Sequence, residues 1–260
     1  MIRALYTSTT GMNAQELQLN VTSNNLANVN TTGFKKSNTN FEDLFYQTLR
    51  AAGAETVGGS MVPSGIQVGM GVRTASVQKI FTQGDYTNTG RELDLAIEGK
   101  GFFLIIRDGE DYFTRDGNFT LDNEGYVVNQ RGDRLQPEFS VPLEATTIEV
   151  DSGGMMTALD ATGEILTSQQ LTIWGFQNPG GLKAVGNNQF VETEASGNAF
   201  EANPMTDSLG SVSQYFLETS NVNVTEEIVK LIITQRAYES NSKGVTTSDS
   251  LLEIANGLVR

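Results

Sequence analysis

The 260-residue sequence predicts an α+β fold, in which a helix at each end of the chain flanks an extended β arm and an all-β central domain. Apolar residues recur at every seventh position near both ends, which is typical of helices that pair as a coiled-coil-like stalk. Glycine interrupts residues 51–71, and short apolar segments between Gly, Asp and Asn turns fill residues 73–218. We therefore predict an N-terminal helix segment (1–36), an arm (37–72), a β domain (73–218) and a C-terminal helix segment (219–260).

The N-terminal helix is predicted over residues 1–29, as a thin apolar stripe on a polar helix. The stripe consists of residues spaced by seven: Leu5, Met12, Leu19 and Leu26. Gly33 is expected to end this segment in the left-handed conformation that glycine adopts without strain. Asn24, Asn25 and Asn28 have two interpretations, a polar helix face that runs into a turn or side-chain amides that bond neighbouring chains, and the sequence leaves both open.

Residues 37–72 are expected to form a β-hairpin or an extended arm. We expect a short apolar helical turn at residues 41–46, and then strands at 65–68 and 72–77 around a glycine-rich stretch. A two-stranded hairpin of this length is marginal when free in water. The arm is therefore predicted to lie on another surface.

The central domain reads as many short strands, as in a sandwich, barrel or β-roll. Phe102 and Phe103 are predicted to lie on opposite faces of their strand, and residues 195–209 to form a loop. The strands are predicted at 72–80, 93–97, 101–106, 112–114, 118–121, 126–129, 148–150, 157–159, 171–176 and 189–192. The main core candidates are Ile97, Phe102, Phe103, Leu104, Ile106, Phe113, Phe119, Trp174, Phe176 and Phe190.

The C-terminal helix is predicted over residues 224–259, with Asn221 or Asn223 as its N-cap and Glu226 and Glu227 in its first turn. Its apolar positions spaced by seven are Leu231, Tyr238, Val245, Leu252 and Val259. The companion positions are mostly polar: Ile228, Gln235, Ser242, Asp249 and Asn256. A helix whose seam is half polar is not stable in isolation. We therefore expect the C-terminal helix to pair with the N-terminal helix of the same chain or of other copies.

Composition excludes several kinds of chemistry. The chain has neither Cys nor His, which excludes disulfides, thiolate sites and Ser-His-Asp or Cys-His catalysis. The net charge is −14, and residues 51–218 hold nine Lys and Arg against twenty-three Asp and Glu, a balance unsuited to nucleic acid or anionic lipid. No apolar run reaches membrane-spanning length and no secretory signal is evident. We expect a soluble chain that is cytoplasmic or exported without a cleaved signal.

Short motifs in the domain favour turns over active sites. Gly99-Lys100-Gly101 lacks the spacing of a phosphate-binding loop, and the acidic clusters at 108–111 and 122–124 lack that of a calcium-binding loop. Arg131-Gly132-Asp133 is the adhesive tripeptide, yet it also makes an ordinary turn. We predict no catalytic residue, no metal ligand and no cofactor. A peptidoglycan hydrolase and an adhesin remain as remote alternatives.

Three groups of residues resemble the flagellar rod and hook axial protein family, in the family's order along the chain. They are 24–29 with 32–35, then 94–103 with 113–117, and then 218–224 with 235–239 and 241–243. Within the family, residues 1–5 and the stretch from 41–50 to 63–69 are similar to the distal-rod branch. A proximal rod or hook paralogue is the alternative.

The resemblance implies a structural, non-enzymatic subunit that assembles helically into a rigid hollow shaft, which transmits torque and passes exported subunits. It implies contacts with further copies, proximal rod proteins, the hook or hook junction, the basal-body rings and the type III export apparatus, in a periplasmic rod without membrane insertion. The implied assembly interface comprises Leu5, Met12, Leu19, Asn25, Leu26, Asn28, Phe34, Leu231, Gln235, Tyr238, Val245 and Leu252. The implied rigidity arm comprises Tyr46, Pro63, Gly65, Ile66 and Val68.

Overall fold

A computed structural model describes residues 2–53, 63–206 and 208–257. The chain divides into two compact units, one of residues 1–26, 37–78 and 224–260 and the other of residues 27–36 and 79–223. The α+β class is confirmed. The helices are α1 (Ile2–Ala27) and α2 (Val224–Gly257), with one 3-10 turn, Pro179–Gly181. The strands are β1 (Ser37–Asp43), β2 (Tyr46–Arg50), β3 (Ile66–Gly69), β4 (Val72–Lys79), β5 (Tyr86–Asn88), β6 (Leu95–Glu98), β7 (Phe103–Arg107), β8 (Glu110–Thr114), β9 (Phe119–Leu121), β10 (Val127–Asn129), β11 (Arg134–Gln136), β12 (Thr147–Val150), β13 (Met155–Leu159), β14 (Ile165–Gln170), β15 (Ile173–Gly175), β16 (Lys183–Gly186), β17 (Gln189–Val191), β18 (Phe200–Ala202), β19 (Ser211–Gln214) and β20 (Phe216–Glu218).

In the first unit, α1 and α2 approach each other along an antiparallel path. The Asn25 amide donates a hydrogen bond of 3.2 Å to a Glu227 carboxylate oxygen. A Cβ on Gly11 would lie 2.9 Å from the side chain of Asn241, and the same atom on Gly244 would lie 3.0 Å from the Ser8 hydroxyl. Glycine thus permits close approach at two of the three points, as small residues do between packed helices. That the two helices form a coiled coil stays a prediction.

The same unit contains a two-stranded antiparallel ribbon, in which β1 pairs with β4 and β2 with β3. Tyr46 lies opposite Gly69, and the Leu44 N–H donates a 2.8 Å hydrogen bond to the Gly71 carbonyl. The predicted helical turn at residues 41–46 is therefore wrong, because this backbone finds its partners across the ribbon. The glycine-rich part of the predicted arm at 54–62 lies outside the described residues.

The second unit is all-β around two clusters of buried side chains. Its largest sheet has seven strands, in the order β16-β17-β8-β7-β11-β10-β9, beside the three-stranded sheet β12-β13-β14. Phe103 enters the main core and Phe102 enters an aromatic cluster, so their predicted placement on opposite faces is confirmed. In the aromatic cluster, Phe102 contacts the rings of Phe81 and Phe176 edge-on at 5.4 and 5.6 Å.

Several details of the predicted β domain are corrected. Ile106 and Trp174 are only half-buried: Ile106 lies next to the end of β7, and Trp174 packs against the buried residues of the aromatic cluster without being buried itself. Residues 195–209 do not form a simple loop, since β18 pairs there with β15. The other strands not foreseen are β5, β11, β14, β16, β19 and β20.

The Arg-Gly-Asp tripeptide forms a turn whose carboxylate points inward. Asp133 is buried and accepts hydrogen bonds of 2.8 Å from Arg107 Nε, 2.8 Å from Asn129 Nδ2 and 3.1 Å from Gln189 Nε2. These bonds, those of Arg107 above all, lower the pKa of Asp133 to about 2. A carboxylate used in this way is not available to a cell-surface receptor.

We predict that Asp133→Asn lowers the free energy of unfolding by about 2 kcal/mol at neutral pH. The folded-state pKa is lowered from 3.8 to about 2, so the stabilisation is present above about pH 4 and is lost as the pH falls through 2. Urea titrations at a series of pH values should show the two proteins converging near pH 2. The exposed substitution Glu144→Gln is the control, and a loss that did not depend on pH would contradict the assignment.

Candidate assembly site and buried ionic junction

Three charged side chains from distant parts of the sequence meet inside the second unit. Lys35 follows the turn after α1, Arg115 follows β8, and Glu218 ends β20. Their side chains are 0%, 4% and 1% exposed, respectively. We call this group the junction.

Glu218 is the anion that both cations share. Its Oε1 lies 2.6 Å from Lys35 Nζ, and its Oε2 lies 3.4 Å from Arg115 Nη1. Oε1 also accepts a 2.9 Å hydrogen bond from the backbone N–H of Gly84. Backbone carbonyls also accept hydrogen bonds from both cations: Lys35 Nζ donates to the Thr82 carbonyl at 2.8 Å, and Arg115 Nη2 donates to the Gly99 carbonyl at 2.6 Å.

The backbone around the junction is tied down in the same way. The Gly33 N–H donates a 2.8 Å hydrogen bond to the backbone carbonyl of Glu218, and Gly33 has a φ of +65°. A Cβ on Gly33 would lie 2.8 Å from the Arg115 carbonyl carbon, so this position requires glycine for close approach as well as for its left-handed backbone. Gly33 is thus more than a helix stop.

Asn221 belongs to this network and does not cap α2. Its Oδ1 accepts a 2.8 Å hydrogen bond from the Lys36 N–H, and its Nδ2 donates to the Ile80 carbonyl at 2.8 Å. Because α2 begins at Val224, Asn223 occupies the position just before the helix. Of the two predicted caps, Asn221 is therefore wrong.

Burial makes the junction electrostatically demanding. Desolvation lowers the pKa of both Lys35 and Arg115, and the charge of Glu218 opposes that shift in each case. Two cations share one carboxylate, which leaves a net positive charge in the interior when all three are ionised. Losing the shared carboxylate would leave both cations uncompensated.

The first unit presents a separate, exposed surface on the N-terminal half of α2. Its exposed aliphatic side chains are Val224, Ile228, Val229, Ile232 and Ile233, the last 62% exposed. Sequence reasoning missed this surface because it followed the seven-residue seam. The signal was present as five β-branched aliphatic residues within ten positions, which are too many for a solvated helix face.

The predicted assembly residues are distributed over both units. Leu5, Met12, Leu19 and Leu26 are half-buried on α1, as are Leu231, Val245 and Leu252 on α2, whereas Tyr238 and Gln235 are exposed. Asn25 is buried, and its Nδ2 and Oδ1 bond the backbone of Ser37 at 2.9 Å each. In the second unit, Phe34 is buried beneath Lys79 and Asn28 is half-buried, with its Oδ1 accepting a hydrogen bond from Thr31. Their role in assembly stays a prediction.

The contact side of α2 differs from the predicted seam. Its buried residues are Glu227, Thr234 and Ser248, which together with Asn241 repeat every seven positions. A seven-residue repeat is therefore present on α2, but the positions on its contact side carry small or polar side chains. They suit the close approach seen at Gly11 and Gly244 better than Leu or Tyr would.

The predicted arm residues line the ribbon. Tyr46, Pro63, Gly65 and Ile66 are exposed and Val68 is half-buried. A hydrogen bond to Asp43 raises the pKa of the Tyr46 phenol. A Cβ on Gly65 would lie 2.7 Å from the Arg50 carbonyl oxygen, so a side chain at this position would clash with the paired backbone and glycine is required. Phe45, beside this group, is 91% exposed.

Catalytic or metal chemistry finds little support in the described parts of the chain. Among those residues, no group of three or more Asp and Glu is arranged to hold a metal ion. None of the helices there combines the length and apolar character needed to cross a membrane. The features that the structure does present are a buried clamp and exposed apolar surfaces.

Family models match three parts of the chain. A flagellar basal body rod protein model matches residues 5–35, a flagellar hook protein FlgE/F/G D1 domain model matches 96–158, and a flagellar basal body rod FlgEFG C-terminal model matches 213–258. Each of the three segments contributes one residue of the junction: Lys35, Arg115 and Glu218. The junction thus joins the three parts by which the family is recognised.

Full-length relatives decide the family. The chain is 44% identical to the flagellar basal-body rod protein FlgG of Buchnera aphidicola, over 97% of this chain and 98% of that protein. It is 43% identical to the FlgG of Caulobacter vibrioides, over 99% of each. The chain belongs to the flagellar basal-body rod protein family. As a rod protein it is a structural subunit of the flagellum and lies in the flagellar basal body, and the predicted resemblance is confirmed.

A hook protein is similar over a shorter span. The flagellar hook protein FlgE of Helicobacter mustelae is 45% identical over 134 residues, which cover 51% of this chain and 30% of that protein. The likeness to rod proteins extends over nearly the whole chain, so the rod assignment is favoured over the hook paralogue.

We predict unequal costs for the two ends of the buried ion pair. Glu218→Gln should lower the free energy of unfolding by about 3–5 kcal/mol, because it leaves two cations buried without their anion. Lys35→Met should cost less than half as much, because Glu218 keeps Arg115. Urea denaturation followed by the fluorescence of Trp174, the one tryptophan of the chain, reports on this unit. Glu98→Gln is the exposed control, and equal losses for the two junction variants would refute the shared-anion assignment.

Proposed function

We propose that this structural subunit builds the distal rod, where copies self-assemble helically into a rigid hollow shaft that transmits motor torque to the hook and passes exported subunits. The observation that carries the proposal is the exposed apolar surface of the first unit. Aliphatic side chains on α2 and aromatic side chains on the ribbon face solvent in the single chain. Surfaces of this kind are typical of sites that bind another protein.

The terminal helices are proposed to form the shaft wall by packing against the helices of other copies. Within one chain they contact through glycine and polar side chains, such as the pair Asn25 and Glu227. Such contacts stabilise weakly, since long helices in water depend on tertiary packing of an apolar face. Packing of Ile228, Ile232 and Ile233 against other copies would supply that burial. In this proposal the coiled-coil-like stalk forms fully on assembly.

The ribbon is proposed to stiffen the shaft by lying across neighbouring copies. A tube of helices alone resists twisting through helix contacts only, and an additional element that spans two subunits resists shear between them. The exposed side chains of Tyr46 and Ile66, with the adjacent Phe45 and Leu49, would make that contact. Pro63 and Gly65 would shape the end of the ribbon.

The proposed partners follow from a place in the middle of the shaft. They are further copies, proximal rod proteins on one side, the hook or hook junction on the other and the basal-body rings around it. The half-length match to a hook protein supports a common interface at the hook end. We further propose delivery by the type III export apparatus, without a cleaved signal, to a periplasmic rod. No reaction is assigned to the chain.

The remote alternatives gain no support. An adhesin would need the Asp133 carboxylate, which is buried against Arg107. A peptidoglycan hydrolase would need a paired acid and base in a cleft, and the acids of the predicted clusters lie in exposed turns such as Asp108–Glu110.

We predict that Ile233→Asp blocks tube formation and leaves the single chain folded. Ile233 is 62% exposed, so its replacement should change the free energy of unfolding by about 0.5 kcal/mol or less. In a tube, the new carboxylate would be buried against apolar side chains without a partner. Light scattering and electron microscopy measure assembly, and Ile233→Leu is the matched apolar control. Normal tubes from Ile233→Asp would rule out this face as a contact.

A second prediction separates stiffness from assembly. Replacing Phe45, Leu49 and Ile66 together by serine should leave tubes that form but bend, with a persistence length reduced several-fold in electron micrographs. Thr48→Ser, on the same ribbon, should leave the tubes straight. If the triple variant gave tubes as stiff as the parent, the proposed role of the ribbon would be wrong.

A further inference from the structure

A cavity of about 540 Å³ opens beside the junction in the second unit. Its aromatic walls are Phe81, Phe102, Phe176 and Phe200, and two cationic residues, Lys100 and Arg115, also line it. No Asp or Glu stands among the described lining residues, although residues 51–218 hold twenty-three acids against nine bases. A cavity of this size with apolar walls and few polar groups is typical of a site for a small organic molecule.

Arg115 belongs both to the junction and to the lining of this cavity. Arg115 and Lys35 share the single negative charge of Glu218, so the junction has a net charge of +1 when all three side chains are ionised. Arg115 Nε is buried and has no hydrogen-bond acceptor among the residues that the structure describes. The guanidinium also stacks 5.4 Å from the ring centre of Phe102. An anion in the cavity would compensate this excess where water screens charges poorly.

Lys100 adds a second, accessible positive charge. Its side chain is exposed, and Gly99 and Gly101 on either side of it have left-handed φ values of +114° and +139°. A Cβ on Gly101 would lie 3.2 Å from Ile173, so the backbone next to Lys100 packs closely against the domain, and Lys100 itself lines the cavity. Aromatic walls of low dielectric constant, with two positive charges beside them, strengthen the electrostatic field that acts on a bound anion.

We infer that this cavity is a binding site for an organic anion with an aromatic body, of the aryl-carboxylate class. The ring would pack edge-on against Phe81, Phe102 and Phe176, as these rings pack against one another. The carboxylate would lie towards Lys100 and the positive junction. The site does not depend on polymer formation, so it can be tested on the unassembled full chain.

The test compares three probes that have one body and different charges: phenylacetate, phenylacetamide and phenethylamine. Amide NMR titrations of the full-length unassembled chain should show phenylacetate shifting the Gly101 and Asn198 signals. The neutral amide should bind at least tenfold more weakly, and the cation should not bind. Raising the ionic strength should weaken phenylacetate binding alone.

Two variants locate the site. Lys100→Gln should weaken phenylacetate binding about tenfold without unfolding the domain, because Lys100 is exposed, whereas Lys183→Gln, an exposed lysine outside the cavity, should have no effect. Absence of binding, equal affinity for all three probes, or equal effects of the two lysine variants would each overturn the inference.

Discussion

The second unit depends on one buried carboxylate that serves two buried cations. Glu218 is 183 residues from Lys35 and 103 residues from Arg115 in sequence, so the contact closes most of the chain. Taking three charges out of water is costly, and close pairing together with additional hydrogen bonds offsets that cost. The Gly84 amide and the Thr82 and Gly99 carbonyls provide further bonds to the charged groups, and the Gly33 amide bonds the backbone carbonyl of Glu218. Glycine occupies two positions next to the junction where the backbone approaches other backbone closely, Gly33 and Gly84.

The two units differ in how their apolar side chains are buried. The second unit has a closed apolar core and a clamp that ties the segment after α1 to the segment before α2. The first unit has polar helix contacts, exposed aliphatic side chains and a ribbon that pairs with itself. The second unit can therefore be stable in a single chain, whereas under the proposed assembly the exposed surfaces of the first unit would be buried by other copies.

The sequence predicted regular features well where local chemistry dominates. Helix α1 ends within two residues of its predicted end, since Asn-rich sequence and Gly33 terminate it. The strand that carries Phe102 and Phe103 was predicted with its two faces because side chains alternate along a strand. Short polar strands such as β5 and β20 were not, because Tyr86–Asn88 and Phe216–Glu218 become strands only through pairing with each other.

The site was predicted in part. The motif residues Phe34, Lys35, Arg115 and Glu218 were recognised by resemblance, yet in a sequence the three charged residues look like ordinary surface charges. Their convergence is a property of topology. The close helix contacts within one chain were not predicted for a related reason: the apolar repeat at Leu231 and Val245 is visible in the sequence, whereas close approach at Gly11 and Gly244 depends on both helices at once.

The measurement that tests the shared-anion clamp most directly is native-state hydrogen exchange at the Gly33 and Gly84 amides. Both donate to Glu218, at 2.8 and 2.9 Å. If the clamp closes the second unit, both amides should exchange only through global unfolding of that unit, with the same free energy as the Leu104 amide in the central strand β7. Exchange of Gly33 or Gly84 by local opening, at the rate of the exposed turn at Gly132, would contradict the account.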